Sequence, residues 1–242
     1  MKTIALALPL VLVVSACGSE PEPVETPTPT PTVNAPRTLL AAGFDAEELG
    51  PRIVGPDGDE VTSEVTFDGQ TIATVVSYVA CPRPETDDDS EDAEGPAAPP
   101  EASGEKARCN PDEQADGAVY TYVHRVTPAE GAESPVMSFR TSRRVTGFAN
   151  AIGFDRDQAQ AALGEGYNIR VSIDNGSLIW RIESGDGWTA GEEITFFWRG
   201  SLPPEGPADA YEIETEAGRS RATGPFPPAR MPEEEEEAET AE

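Results

Sequence analysis

The segment 167–183 constrains the fold more than any other. Asn175-Gly176 stands between two alternating runs, and Asn-Gly favours a two-residue hairpin turn with positive φ at both positions. Pairing across it sets Ile173 opposite Leu178, Val171 opposite Trp180 and Ile169 opposite Ile182. All six are apolar and share one face. Arg170 with Arg181 and Ser172 with Ile179 take the other. A slip of one residue would turn the whole apolar set to solvent, so the register is strongly specified. Two Arg directly opposite each other repel mildly, which asks for an acidic neighbour or for plain exposure.

A second hairpin is expected over 61–76. Asp68-Gly69 is its turn, with Val65 opposite Ile72, Val61 opposite Val76 and Glu64 on the other face. Further strands are expected at 119–127, 136–141, 144–149, 193–199 and 209–215. Gly/Pro loops separate them, and Pro and Gly number 46 among the 242 residues. Many short strands at this spacing predict a mainly β chain, an antiparallel β-sandwich. The run Ile194-Thr195-Phe196-Phe197-Trp198 is apolar on both faces, as a central strand covered on both sides would be; an exposed aromatic strip is the alternative. One short helix interrupts the strands. Asp155 is its N-cap, Gln158 stands where a capping box needs it, and Gly164 supplies the C′ residue. Ala159, Ala162 and Leu163 form its buried face.

The N-terminus has another purpose. Lys2 precedes an apolar run from Ile4 to Val14, which is too short to span a bilayer as a helix. The stretch Val14-Ser15-Ala16-Cys17 resembles the lipobox of bacterial lipoproteins. The resemblance covers about the first 20 residues and implies that 1–16 are a signal peptide cut before Cys17. It also implies a lipid on Cys17, palmitate among its acyl chains, as the membrane anchor. More than one acyl chain is needed for stable attachment, at about 0.8 kcal/mol per buried methylene. Gly18, where Asp would imply inner-membrane retention, implies the outer membrane in a Gram-negative host. The domain would then stand in the periplasm or on the cell surface.

Residues 17–37 follow as a tether. The run Thr26-Pro27-Thr28-Pro29-Thr30-Pro31-Thr32 prefers extended polyproline II at ~3.1 Å per residue, so 17 residues (20–36) reach roughly 50 Å. The domain is expected over 38–230. An insertion at 85–105 holds nine acids and a tail at 231–242 holds seven Glu. Both carry too little apolar surface to offset chain entropy and are expected to be disordered. The net charge of −28 falls to −11 once insertion, tail and tether are set aside, with 26 acids against 15 Lys and Arg over 38–84 and 106–230. Such a balance excludes nucleic acid as a direct partner, since phosphate binding needs clustered cations.

With Cys17 lipidated, Cys81 and Cys109 remain. Outside the cytoplasm such a pair is expected to form a disulfide, which would pinch the acidic insertion at its base. Two Cys and a distant His make a poor ligand set, and no metal or other cofactor is expected. Asp57-Gly58-Asp59-Glu60 and Asp186-Gly187 lack calcium-loop spacing and read as turns. Ser103-Gly104-Glu105-Lys106 fits S-x-x-K but lacks the partner motifs S-D-N and K-T-G. No G-x-S-x-G, H-E-x-x-H, P-loop or G-x-G-x-x-G occurs.

Three readings of function stay open. The first is a non-catalytic envelope module that binds a protein or glycan, with Tyr167, Trp188 and Trp198 as candidate ligand-facing aromatics. The second is an acidic spacer or weak divalent-cation binder. The third is a hydrolase using a carboxylate pair or His124, the only imidazole in the chain; it needs a cleft joining that His to an acid and a hydroxyl.

Overall fold

The computed structural model describes residues 36–55, 58–83, 108–130, 132 and 134–229. The expected signal segment with Cys17, most of the expected tether, the acidic stretch 85–105 and the C-terminal stretch 231–242 lie outside them. All the described residues fall in one unit, Asn34–Glu242. Fourteen strands occur among them. In chain order the first seven are β1 (Arg37–Leu39), β2 (Ala42–Gly43), β3 (Arg52–Ile53), β4 (Val61–Phe67), β5 (Gln70–Ala80), β6 (Arg108–Cys109) and β7 (Tyr120–Pro128). Then come β8 (Val136–Thr141), β9 (Phe148–Phe154), β10 (Asn168–Asp174), β11 (Ser177–Ser184), β12 (Ile194–Gly200), β13 (Gly206–Thr215) and β14 (Arg219–Phe226). They form a sandwich of two sheets. One has the order β1-β10-β11-β8-β13-β14; the other runs β2-β9-β12-β7-β5-β3-β6, with β4 also on β5. Pairing is antiparallel except for the two-residue contacts of β2 with β9 and β3 with β6.

The β10–β11 hairpin closes in the register that its alternation requires. Ile173 faces Leu178, Val171 faces Trp180 and Ile169 faces Ile182. Asn175 and Gly176 take φ of 48° and 85°, the paired positive values of the expected turn. Val171, Leu178 and Trp180 are buried against the opposite sheet. On the outer face, Arg170 and Arg181 separate their charges by different partners. Arg170 Nε pairs with Glu183 at 2.8 Å. Arg181 Nη2 reaches Glu214, two strands away on β13, at 3.2 Å. Burial pushes the Glu214 pKa up, but hydrogen bonds from Ser138 and Arg219 and the nearby Arg charges outweigh it and hold it below its ordinary value. Leu178→Ala should cost about 2–5 kcal/mol, as buried Leu truncations do. Arg170→Ala, more exposed and singly paired, should cost about 0–1 kcal/mol. Urea unfolding of the two variants checks the assignment of faces.

The β4–β5 hairpin corrects the expected register. Its Asp68-Gly69 turn forms and Thr66 faces Thr71, but Val65 then faces Ala73 and Val61 faces Ser77. Ile72 is the extra residue of a β-bulge, which places two residues opposite one. Its carbonyl accepts the Ala129 N–H at 2.9 Å instead. Beyond the bulge the parity of β5 is reversed. Val75, Ser77 and Val79 turn inward, where the unbulged alternation would have sent Val76.

The core fills the space between the sheets, and aromatic rings dominate its centre. Phe139 stacks near Phe196 and Tyr211 at centroid distances of 5.4 and 5.6 Å, and Tyr122 stacks on Trp198 at 3.9 Å. Strand β12 is central, between β7 and β9, and its run Ile194–Trp198 is buried on both faces. Outward-facing Phe197 is covered by the chain's own entry segment, with Phe44 at 5.6 Å and Ala42 and Leu49 alongside. Gly153 makes that cover possible, because a Cβ there would strike the Ala42 carbonyl oxygen. The expected strand at 144–149 lies later, at Phe148–Phe154, since Thr146-Gly147 form a turn with Gly147 at φ 71°.

Helix α1 (Arg156–Leu163) is capped by Asp155, whose carboxylate accepts from the N–H groups of Asp157 and Gln158. Gly164 ends it at φ 79°. Ala159, Ala162 and Leu163 are its buried residues. The capping box does not close. The Asp155 N–H donates to Thr195 O, and Gln158 Oε1 accepts the Thr195 N–H at 2.7 Å. The side chain expected to cap the helix therefore pins its start to β12.

Candidate functional site

His124 points from β7 into the core, where it is fully buried. Trp198 Nε1 donates to His124 Nε2 at 3.3 Å, and Ser77 Oγ lies 2.9 Å from His124 Nδ1. An indole N–H can only donate. Nε2 must therefore be the bare nitrogen and Nδ1 must carry the proton, which it donates to Ser77 Oγ. Tyr211 and Phe139 close over the ring at 4.3 and 5.4 Å. The Trp198 N–H also lies close to the Tyr211 hydroxyl, whose pKa burial raises and this hydrogen bond lowers in part. Burial pushes the imidazole pKa down from 6.5 to about 3. The chain's one imidazole is thus neutral, locked in one tautomer and bonded to two core groups.

Ser77 connects this interior to a pocket. Strand β4 pairs with β5 as far as Ser77, and β3 joins at Ala80. Neither named strand pairs with the β5 edge at Tyr78 and Val79. A pocket of about 210 Å³ opens there, at the seam where the two sheets meet. Ile53, Val54, Val61 and Val79 line one side; Pro204, Pro207 and Pro225 line the other. Val54 is one of two exposed large hydrophobics among the described residues. Ser77 is also among the residues that line the pocket. Its Oγ lies only 3.1 Å from where a Cβ on Gly224 would stand, next to Pro225.

The rim is acidic and held in place. Asp59, Glu60 and Glu205 line it. Arg52 pairs with Glu60, stands 4.0 Å from Asp59 and lies 3.7 Å over the Tyr78 ring. Arg125 reaches Glu60 from β7 at 3.4 Å. Burial raises the Tyr78 pKa, and the Arg52 charge opposes the shift. Pro111 completes the wall from the segment after Cys109. The Cys81–Cys109 disulfide fastens that segment to the end of β5.

The expected ligand-facing aromatics are elsewhere. Trp188 and Trp198 are fully buried, which corrects their assignment to a binding face. Trp188 Nε1 donates to Glu192 O at 2.7 Å and its ring meets Phe196 at 5.7 Å. Trp198 is the stacking partner of Tyr122 and the donor to His124. Large rings beside Gly-rich turns look exposed in sequence; here they fill the sandwich. Tyr167 is half-buried, with its hydroxyl bonded to Arg156 O at 3.2 Å and its ring against Phe154. None of the three reaches the seam pocket. Sequence reasoning missed Ser77, because only the bulge at Ile72 turns it inward. Among the described residues no three His, Cys, Asp or Glu side chains gather as metal ligands, and no helix is long and apolar enough to cross a membrane. No protein-family model, curated protein or solved structure matches the chain.

Proposed function

We propose that the chain is a lipid-anchored, non-catalytic binding module of a bacterial cell envelope, and that the seam pocket receives its ligand. The observation that carries this reading is the pocket: an apolar concavity at a sheet seam, with fixed charges at its rim. Such sites bind by shape and apolar burial, with a few polar groups setting orientation. A hydrolase built on His124 is disfavoured by the same geometry. A general base must accept a proton from its nucleophile, whereas His124 donates to Ser77 and has its other nitrogen occupied. The lipobox at Val14–Cys17 and the Thr/Pro run behind it supply the anchor and spacer.

Two measurements test the parts. Cys17→Ala should move the protein from the membrane pellet to the soluble fraction. Retention in the pellet after a high-salt wash, with the signal peptide removed, would contradict the anchor. Methyl NMR of the full chain with a solubilised envelope digest should shift Val54, Val61 and Val79. Shifts confined to other methyls would contradict the pocket as the binding site.

A further inference from the structure

We infer that the seam pocket takes a compact aliphatic group that carries an ammonium, with the Glu205 carboxylate as the partner of that charge. The inference rests on the seam pocket being a binding site, and it adds the ligand's chemistry. Among the described residues Asp59, Glu60 and Glu205 are the charged side chains that line the pocket. The first two are engaged. Glu60 pairs with Arg52 and with Arg125, and Asp59 stands 4.0 Å from Arg52. Arg52 is held further by the Tyr78 ring beneath it. Glu205 is exposed and has no ion pair among the described residues. Its backbone is nonetheless fixed. The Glu205 N–H donates to Phe226 O at 3.0 Å, and Pro204 and Pro207, both walls of the pocket, stand on either side of it in the chain. The mouth therefore holds one unpaired negative charge beside apolar walls.

Together these two features ask for an amphiphile of opposite charge. The walls at Val54, Val61, Val79 and Pro225 gain by covering an alkyl group. An apolar cavity of about 150 Å³ takes up benzene, so this pocket of about 210 Å³ suits a ring or branched alkyl of slightly larger size. The ammonium stays at the mouth, where it keeps most of its water and meets Glu205. The desolvation cost of a buried charge is thereby avoided. A carboxylate in the same place would face Glu205 and find Arg52 and Arg125 already engaged by Glu60. The chain's net charge of −28 attracts cations to its whole surface. At about 0.15 M salt, however, charges more than about 8 Å away are largely screened, which leaves the nearest carboxylate to decide.

Cyclohexylmethylamine, cyclohexylmethanol and cyclohexanecarboxylate share one ring and differ in the head group. They are titrated into the full chain in that salt at neutral pH and followed on the Val54, Val61 and Val79 methyls. The amine should bind about two- to fivefold tighter than the alcohol, the worth of one exposed ion pair. The carboxylate should bind more weakly than the alcohol. Glu205→Gln, a change at an exposed side chain, should bring amine and alcohol level. Glu165→Gln, also exposed but on the loop after α1 and not part of the pocket lining, should leave the preference in place. Leucinamide sets an ammonium beside a branched alkyl at the start of a peptide; tighter binding of it than of the amine would assign the ligand to a peptide N-terminus, weaker binding to a free amine. Equal affinity of amine and alcohol on the wild-type chain, or a preference that survives Glu205→Gln, would overturn the role of Glu205 and leave the pocket as a binding site. Failure of every probe to shift the three methyls would overturn the pocket reading and this inference together.

Discussion

Acidification should destabilise the fold steeply through His124 alone. The imidazole pKa is about 3 in the folded chain, against 6.5 when exposed. The unfolded state therefore takes up the proton first as the pH falls. The stability that His124 confers in its neutral form is complete above about 6.5, declines as the pH drops, and is exhausted near 3. The slope approaches 1.4 kcal/mol per pH unit, and the whole window amounts to roughly 4–5 kcal/mol. That is a large share of the 5–15 kcal/mol typical of a domain. Tyr211, the titratable group packed on the ring, stays neutral throughout, since burial holds its pKa well above 10. Surface carboxylates also titrate in this range, so the informative quantity is a difference. His124→Gln keeps an amide donor and acceptor without the titration. Urea unfolding of both proteins from pH 7 to 4 should show the wild type losing stability faster by about 1 kcal/mol per unit. Parallel curves would mean that the ring is solvated.

Breaking the Cys81–Cys109 bond should have an effect of similar size. The cysteines are 28 residues apart, and a closed loop of that length is worth on the order of 3–4 kcal/mol in the chain-entropy model. The local consequence matters more for function. Strands β3 and β6 are two residues each and pair with one another at Ile53 and Cys109. Besides the bond, the single Arg52–Ala80 pairing, the Arg52 contact with the Tyr78 ring and the Cys81 N–H to Pro51 O hydrogen bond tie them to the end of β5. They carry Ile53 and lead to Pro111, both walls of the pocket. Reduction should therefore lower the unfolding free energy by about 3–4 kcal/mol and also broaden the methyl signals around the pocket. Chemical unfolding with and without reductant measures the first, and methyl spectra at native conditions the second.

The sequence was most legible where a turn and an alternation agree. Asn175-Gly176 with its six apolar neighbours specified both the hairpin and its register. Asp155, Gly164 and the Ala/Leu face specified the helix. The β4–β5 pairing was legible as a hairpin but not in register, because Ile72 and Ala73 are both apolar and nothing in the pattern marks which is the bulged residue. That one residue decides whether Ser77 faces solvent or His124, so the link between core and pocket could not be read without the fold. Strand β14 was hidden by Gly224, Pro225 and the prolines after it. As an edge strand it tolerates them, and the Thr223 N–H is met by Ser63 Oγ of β4 at 3.0 Å rather than by a ladder partner. The burial of Trp198 was legible in the two-faced apolar run Ile194–Trp198, whereas that of Trp188 was not, since tertiary packing and not local sequence decides whether a lone ring beside a turn is covered.

His124 is a side chain of the core, bonded to Trp198 and Ser77. Because the chain has a single His, one set of imidazole nitrogen resonances belongs to it without further assignment. A long-range ¹H–¹⁵N spectrum of the full chain should show Nδ1 protonated and Nε2 bare, unchanged from pH 8 to about 4.5, well above the folded-state pKa of about 3. A proton on Nε2 at neutral pH, or a titration centred near 6.5, would contradict the locked, neutral imidazole and return His124 to the candidates for a catalytic base.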